Sequence, residues 1–311
     1  MNSESGYFPI ILARKWDLMN GPLASINYLE IRDKSNQTRP FLKWAGGKSR
    51  LSSKIGSLIP ARFGKYIEPF LGGGALFFAT CYQNAVLADS NRELMNCYEV
   101  VRDRPLDLIK SLDNLSKLEF SSETFYKIRS WNVSTDAKVD SAARMIYLNR
   151  TAYNGLYRVN RKGGFNTPFG SYKALSLPSS ELLLEASRVL RDTSLEIGDF
   201  EKVLDEFASP GDFVYLDPPY PPVGKYSDFN RYTKDFFDER DHQRLSHCIK
   251  KLDEIGCSFV LSNADHPLIR ELYDNGKFKI LKILSPRYIN CKGNGRGKIG
   301  ELLVTNCNHA S

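Results

Sequence analysis

The sequence contains no apolar run long enough to cross a bilayer. The best N-terminal candidate, residues 7–13, is only a few residues long and lacks the basic start and cleavage site of a secretory signal. The six cysteines form no CxxC pair and do not cluster with the four histidines, so no metal-site pattern is present. These absences predict a cytoplasmic protein with free buried thiols, no membrane segment and no metal.

Positive charge is the first feature that the sequence does carry. The 311 residues have a net charge of +7 and an isoelectric point near 9.0, which suits a polyanionic partner. Lysine and arginine recur beside asparagine, glycine and aromatic residues at 149–173, and again among glycines at 287–298. Such clustering is typical of nucleic-acid contact surfaces rather than of a uniformly solvated face.

Two glycine-rich motifs resemble nucleotide-binding patterns but are incomplete. Residues 46–49 read as the end of a phosphate-binding P-loop, yet Leu42 stands where that pattern needs glycine. A dinucleotide fingerprint can start at Gly72, but its third glycine position is Phe77. Neither of these nucleotide-binding classes is therefore supported.

The pattern of apolar residues predicts an α/β fold. Residues 65–70 and 85–89 read as short buried strands, each followed by a helical stretch, which is typical of a doubly wound parallel sheet. The same apolar pattern predicts four further strands, at residues 194–197, 212–216, 258–262 and 300–306.

The middle of the chain differs in character. Amphipathic helical stretches at 105–118 and 141–149 lead into two short extended runs, and a glycine pair between these runs predicts a hairpin with a basic tip. We therefore divide the chain into an N-terminal arm (1–38), an α/β domain (39–102 and 190–311) and an inserted helical and hairpin domain (103–189).

The tetrapeptide at Asp217–Tyr220 follows the strand at 212–216, at the edge where α/β sheets bind ligands. An exocyclic amine of a base is a poor nucleophile because its lone pair is delocalised into the ring. Asp217 and the carbonyl of Pro218 can accept its two hydrogens, so the lone pair can be aimed at a methyl donor. Tyr220 offers a flat face on which a base rotated out of a duplex can stack.

Two further features fit the site of a methyl donor. Glycines after the first strand allow a ligand to approach the backbone closely at the carboxyl edge of the sheet. Asp89 ends the second strand, where an acidic residue binds ribose hydroxyls in other nucleotide-binding α/β folds.

Four stretches of the chain, taken together, resemble the Dam family of D12-class DNA adenine-N6 methyltransferases. They are residues 41–48, 68–74, 153–170 and 217–220, and they occur in the family's order. The similarity runs from about Arg39 to Asn306 and leaves out only the N-terminal arm. It implies a Rossmann-like α/β fold that uses S-adenosylmethionine, with an inserted DNA-recognition domain.

The resemblance also implies what the enzyme does: methylation of adenine in double-stranded DNA within GATC, by base flipping. We expect a monomer in the cytoplasm of a bacterium, encoded by the bacterium or by a phage. Dam has an arginine before the tyrosine that matches Tyr172, whereas this chain has Ser171. The recognised sequence is therefore less constrained by the residues than the chemistry is.

The resemblance carries roles onto individual residues. The catalytic residues would be Asp217, Pro218 and Tyr220. S-adenosylmethionine would be bound by Trp44, Lys48, Glu68, Phe70, Gly72, Gly74, Asp89, Asp199, Phe200 and Asp217. The DNA would be bound by Lys43, Asn154, Leu156, Arg158, Asn160, Arg161, Lys162, Pro168 and Tyr172. Among these residues, Arg158 suits bidentate contact with guanine, and Arg161 and Lys162 suit phosphate contacts.

Several alternatives remain open from the sequence. An enzyme that methylates the amine of cytosine usually has serine in place of Asp217, and an RNA or protein-glutamine methyltransferase favours asparagine there. Carbon-5 cytosine methylation needs a cysteine, typically after proline, and no cysteine here follows proline. A catalytically silent DNA-binding relative would not need an intact Asp217–Tyr220 motif. The glycine-rich segment 292–298 is either a backbone clamp on DNA or a solvated loop.

Overall fold

The computed structural model describes residues 38–44, 46–48, 51–131, 137–160, 163–222, 237–286 and 298–307. Three predictions fall outside these ranges: the arm up to residue 37, the phosphate contacts of Arg161 and Lys162, and all of the 292–298 segment except Lys298. In the ranges described, no helix is long and apolar enough to cross a membrane.

A single seven-stranded sheet forms the centre of the fold. Its strands are β1 (Tyr66–Glu68), β2 (Ala85–Asp89), β3 (Thr193–Ile197), β4 (Phe213–Leu216), β5 (Ser258–Ala264), β6 (Lys279–Pro286) and β7 (Lys298–Thr305). They lie in the order β3-β2-β1-β4-β5-β7-β6. Strands β1 to β5 pair with one another in parallel, as the sequence predicts.

The sheet departs from an all-parallel arrangement at one edge. Strand β7 lies between β5 and β6 and is antiparallel to both. Only residues 287–297 separate β6 from β7 along the chain. Antiparallel neighbours can be joined without the helical crossover that parallel neighbours need. Strand β6 itself has no counterpart among the strands that we predicted from sequence.

Helices cover the sheet and extend beyond it. They are α1 (Ser52–Gly56), α2 (Ala75–Thr80), α3 (Arg92–Asp103), α4 (Pro105–Ser116), α5 (Ser122–Arg129), α6 (Lys138–Thr151), α7 (Ser180–Leu190), α8 (Phe200–Phe207), α9 (Glu239–Glu254) and α10 (Pro267–Tyr273). Asn91 caps α3 by accepting hydrogen bonds from the amides of Glu93 and Leu94. Pro105 begins α4, where its missing N–H costs nothing.

Successive side chains along each strand point to opposite faces of the sheet, so the core is divided into two apolar layers, one on each face. Tyr66 and Tyr215 belong to one layer, and Ile67 and Val214 belong to the other. The first layer continues without a break into the middle of the chain, where it includes Phe125 of α5 and much of α6. Helix α6 packs against α3 and α4. The predicted insert therefore shares a core with the sheet, and its boundaries remain a prediction.

The basic hairpin of the insert is present as a short antiparallel turn. Val159 and Phe165 form an antiparallel bridge. The amide of Asn166 donates to the carbonyl of Arg158 at 2.7 Å, and the amide of Asn160 donates to the carbonyl of Gly164 at 2.9 Å. These bonds hold the two sides of the hairpin on which the predicted DNA contacts lie.

Candidate active site

From β1 the chain adds β2 and β3 on one side of the sheet, and it then adds β4 and β5 on the other side. The strand order therefore reverses between the neighbouring strands β1 and β4. In open α/β sheets, ligands bind in the crevice that such a reversal creates at the carboxyl ends of the strands. Glu68 ends β1, and Asp217 follows the last residue of β4. The fold thus places both carboxylates in this crevice.

Asp217 is held by a cation and a hydroxyl. The ammonium of Lys48 lies 2.9 Å from Oδ1 and 2.9 Å from Oδ2 of Asp217. Ser262 on β5 donates to Oδ1 at 2.8 Å. The Lys48 side chain is 6% exposed and that of Asp217 is 19% exposed, so water screens the pair only weakly.

The environment of Lys48 keeps it charged. Burial by itself lowers the pKa of Lys48, but the charge of Asp217 raises it, and the net effect is a raised pKa. The ammonium also donates to the carbonyl of Gly46 at 2.7 Å. It lies 4.7 Å from the centre of the Tyr220 ring, a cation–π contact. Lys48 therefore covers both Asp217 and one face of Tyr220.

Glu68 is a buried carboxyl group beside this pair. The hydroxyl of Tyr66 donates to its Oε2 at 2.7 Å. Burial raises the pKa of Glu68 to about 8, and the charges of Asp217 and Asp89 also raise it. Glu68 is therefore mostly protonated at neutral pH in this structure, and it can donate as well as accept a hydrogen bond.

The glycine turn after β1 is tied to Asp89. The amide of Gly72 donates to Oδ2 of Asp89 at 3.0 Å, and the amide of Asn91 donates to Oδ1 at 2.9 Å. Burial raises the pKa of Asp89 to about 6 despite these bonds. Each carboxylate oxygen has a second lone pair, so the bonds leave acceptor capacity for a ribose hydroxyl.

Trp44 explains why this turn needs glycine. A Cβ on Gly72 would lie 2.8 Å from the Trp44 ring, and one on Gly73 would lie 2.9 Å from the Cβ of Trp44. Gly72 also has a φ of 49°, which side chains rarely adopt. The Trp44 ring is stacked on Tyr157 of the insert at 5.3 Å between centroids. The side chain of Trp44 thus approaches this turn closely, and the approach of a ligand to the same turn stays a prediction.

A second group of residues lies beyond β3. Asp199 caps α8 and accepts from Nη2 of Arg244 at 2.6 Å. Phe200 is stacked on Phe70 at 5.3 Å between centroids. Ile197 pairs with Asp89 across the sheet and is 41% exposed at the same edge. The predicted donor-binding residues thus lie along the carboxyl edge of β1 to β4, and their contact with a donor remains a prediction.

Several of the predicted DNA-binding residues lie around Lys43. Its amide donates to Asn149 Oδ1 at 2.9 Å, and Asn149 Nδ2 donates back to the carbonyl of Lys43 at 2.6 Å. The ammonium of Lys43 lies 4.9 Å from the centre of the Tyr172 ring. Burial lowers the pKa of Lys43, and the charge of Arg150 lowers it further. Asn149 therefore joins the stretch at residues 41–48 to the rest of the recognition insert.

The other predicted DNA contacts lie on the surface of the insert. Asn154, with a φ of 54°, is exposed, as are Asn160 and Pro168. Leu156 and Arg158 are partly exposed. Arg158 donates to the carbonyl of Asn166 at 3.2 Å, which holds its guanidinium along the hairpin. The structure places these side chains on the insert, and their roles toward DNA stay predictions.

Sequence reasoning missed four residues that the structure brings into the site: Tyr215, Ser262, Ile197 and Asn149. A signal existed for Ser262, because it is a polar residue near the end of an otherwise apolar run on β5. No comparable signal marked Asn149, whose partners are 106 and 6 residues away along the chain. Within the part of the chain that the structure describes, no group of three or more candidate ligands could hold a metal ion.

The seven-stranded sheet carries an acidic residue at the end of β2 and the Asp217–Tyr220 segment after β4. This architecture is consistent with the fold of S-adenosylmethionine-dependent methyltransferases. A family model described as D12 class N6 adenine-specific DNA methyltransferase matches residues 44–287.

Curated relatives extend the similarity over most of the chain. A Type II methyltransferase, M1.LlaDCHI of Lactococcus lactis subsp. cremoris, is 44% identical over 86% of this chain and 95% of its own length. The Type II methyltransferase M.MjaIII of Methanocaldococcus jannaschii is 40% identical over 87% and 99%. A DNA adenine methylase of Serratia marcescens is 37% identical over 86% and 98%. The chain belongs to the D12 class of N6 adenine-specific DNA methyltransferases.

Proposed function

We propose that the carboxyl edge of this sheet binds S-adenosylmethionine and a flipped adenine, and that the enzyme methylates the N6 amine of adenine within GATC in double-stranded DNA. The observation that carries the proposal is the position of Asp217. Its carboxylate lies at the reversal of strand order, followed by Pro218 and Tyr220, and beside the acidic ends of β1 and β2. Family membership implies both the methyl donor and the DNA substrate.

The residues of the edge fit the donor by their chemistry. Asp89 keeps acceptor capacity for ribose hydroxyls, and Phe70, Phe200 and Ile197 provide an apolar lining for an adenine ring. Asp199 can accept from an exocyclic amine of that ring. When bound, S-adenosylmethionine supplies an electrophilic methyl group on a positively charged sulfur. The carboxylates of Asp89 and Asp217 favour that charge.

The catalytic residues act on the amine of the target base. Asp217 and the carbonyl of Pro218 accept its two hydrogens, which turns the nitrogen lone pair toward the donor. Two consecutive prolines restrict the backbone that carries this carbonyl. Placement of the amine supplies the catalysis, and no covalent intermediate with the protein is required.

We infer that Lys48 shifts when the base binds. Its ammonium contacts both oxygens of Asp217 and lies on a face of Tyr220. A flipped adenine needs one Asp217 oxygen for its amine and the Tyr220 face for stacking. Displacement of Lys48 from Asp217 therefore accompanies entry of the base. The freed ammonium remains able to bind the carboxylate of the donor.

The recognised sequence rests on the insert. Arg158 suits the O6 and N7 atoms of guanine, and Lys43 and Tyr172 lie together where the insert meets the sheet. Ser171 precedes Tyr172, with a φ of 51°, and differs from the arginine of Dam at this place. The two Type II methyltransferases are 44% and 40% identical to this chain, and the DNA adenine methylase of Serratia marcescens is 37% identical. Because the Type II enzymes are more similar, we favour a modification role in a restriction system. We further expect a monomer that acts in the cytoplasm, where its donor is made.

The decisive experiment maps the product. Unmethylated duplex DNA is incubated with the protein and S-adenosylmethionine carrying a labelled methyl group, and modified positions are found by sequencing. Label on adenine within GATC is the expected result. Label on adenine in another sequence would overturn the proposed specificity, and label on cytosine or on RNA alone would overturn the proposed reaction.

The variant Asp217→Ala tests the mechanism in the same assay. It should abolish methyl transfer while DNA binding is kept, because the carboxylate acts on the amine rather than on the duplex. The variant should also lose stability, since the buried ammonium of Lys48 loses its partner. The matched variant Asp205→Ala removes a surface carboxylate and should retain full activity. Substantial transfer by Asp217→Ala would remove Asp217 from the mechanism.

A further inference from the structure

Two buried hydroxyl groups lie beside Asp217. Ser262 Oγ is 2.8 Å from Asp217 Oδ1 and 3.1 Å from the hydroxyl of Tyr215. Ser262 is fully buried and Tyr215 is 1% exposed. Water therefore has little access to either hydroxyl, and each depends on the other groups of the protein for its hydrogen bonds.

The register of the sheet accounts for this arrangement. Strands β4 and β5 are parallel, with Tyr215 opposite Val260 and Leu216 opposite Leu261. The next step along both strands brings Asp217 beside Ser262. Because side chains alternate between the faces of a sheet, Tyr215, two residues before Asp217, lies on the same face as Asp217. The three groups are thus fixed by backbone pairing.

We propose that Tyr215 and Ser262 form a hydroxyl relay that positions the carboxylate of Asp217 for the target amine; this inference rests on the proposed function. A serine hydroxyl has one hydrogen and can accept two further bonds. When Tyr215 donates to Ser262, the single hydrogen of Ser262 is directed to Asp217. Bonds in such a chain polarise one another, which strengthens the bond to the carboxylate.

The relay makes the two oxygens of Asp217 unequal. Lys48 contacts both of them, whereas Ser262 contacts only Oδ1. Once Lys48 has left, Oδ1 is still held by Ser262, and Oδ2 is available to the amine. The carboxylate then keeps its plane while the base enters. In this proposal Ser262 and Tyr215 act on the reaction through Asp217, so both are positioning residues.

The experiment uses the full-length enzyme with GATC-containing duplex DNA and measures kcat, KM for DNA and the Kd for S-adenosylmethionine. Ser262→Ala should lower kcat by about 10- to 100-fold, the range for a lost hydrogen bond to a charged group. KM for DNA and the donor Kd should stay within about twofold. Tyr215→Phe should lower kcat less, and the double variant should resemble Ser262→Ala because both changes break one chain.

Two further variants separate positioning from a general loss of structure. Thr305→Val removes a buried hydroxyl from β7, where it donates to the carbonyl of Phe259, and should leave kcat unchanged. Ser262→Thr retains the hydroxyl and should recover most of the lost rate. If its extra methyl group prevents folding, the kcat values of Ser262→Ala, Tyr215→Phe and the double variant still test the relay.

The outcomes separate this inference from the proposed function. Adenine methylation by the wild type, with kcat unchanged in Ser262→Ala, would overturn the relay alone. Independent, multiplicative losses in the double variant would also overturn it. A wild type that transfers no methyl group to adenine would overturn the proposed function, and the relay with it.

Discussion

At the scale of single residues, the site combines an ion pair with carboxyl groups that lie too deep to be freely solvated. Lys48 and Asp217 compensate each other's burial. Glu68, by contrast, has a tyrosine hydroxyl as its partner. The crevice thus holds an ion pair and, in Glu68, a carboxyl group whose pKa is raised to about 8, and the two should respond differently to mutation and to pH.

Removal of the charge of Lys48 should destabilise the fold. Lys48→Met leaves Asp217 without its cation in a site with little water, and we expect a loss of about 3 kcal/mol in the free energy of unfolding. Urea denaturation measures this loss. Lys251→Met breaks an exposed ion pair with Asp205 and should cause a much smaller loss. Equal losses in the two variants would show that the Lys48 pair is solvated.

Glu68 should make stability depend on pH. Its pKa rises from 4.5 in the unfolded chain to about 8 in the fold, so its contribution to stability is complete below pH 4.5 and is lost as the pH rises through 8. Glu68→Gln should therefore gain stability relative to the wild type as pH increases, by up to about 1.4 kcal/mol per pH unit between these values. Urea denaturation at pH 5, 7 and 9 without donor measures the difference. A difference that does not vary with pH would contradict this account.

At the scale of elements, a strand or turn could be predicted from the sequence where a local pattern of residues marks it. The strand ending at Asp89 and the strand before Asp217 were predicted because each is a short apolar run that ends in a carboxylate. The hairpin was predicted because a glycine pair separates two extended runs. Strand β6 was missed, since lysines interrupt its apolar pattern at the edge of the sheet.

The same reasoning explains which part of the site escaped prediction. Asp217 and Tyr220 belong to one contiguous motif, which local sequence reveals. Ser262 reaches Asp217 only through the pairing of β4 with β5, over a separation of 45 residues. The ammonium of Lys48 reaches Asp217 over 169 residues. Neither contact follows from local sequence, because sheet register and side-chain direction decide both.

The hairpin element carries its own prediction. Arg158→Ala should relax the preference at one base pair by about 1–3 kcal/mol, because a bidentate contact with guanine is lost. Methylation rates on GATC and on single-base variants of it measure the preference. Arg129→Ala, a change on α5 outside the predicted contacts, is the control. If DNA affinity instead fell equally on all sequences, Arg158 would be a phosphate ligand.

At the scale of the whole molecule, the shared core is the dominant feature. The same apolar layer that contains Tyr66 on β1 contains Phe125 on α5, and Phe125 packs against Phe169 at 5.4 Å between centroids. A second contact between the sheet and the insert is the stacking of Trp44 on Tyr157. Sheet and insert should therefore unfold as one cooperative unit.

A mutation in the insert should consequently destabilise the sheet. Phe125→Ala empties a fully buried site and should cost about 3–5 kcal/mol. Thermal unfolding followed by circular dichroism and by near-ultraviolet absorbance should show one transition, shifted equally for both probes. Leu106→Ala, at a side chain that is 71% exposed, should leave the transition in place. Two separate transitions would show that the insert has an independent core.

This continuity limits how new specificities can be made. A chimera that exchanged only the hairpin would keep the packing of α6 on α3 and α4, together with the Lys43–Asn149 bonds that join the insert to the stretch at residues 41–48. A chimera that exchanged all of 103–189 would bring foreign side chains both to the shared apolar layer and to the stack of Trp44 on residue 157. A relative that supplies a hairpin for such a chimera should therefore have the same residues as this chain at the positions of Trp44, Tyr157 and Asn149. Relatives that share these contacts are the natural source of interchangeable recognition hairpins.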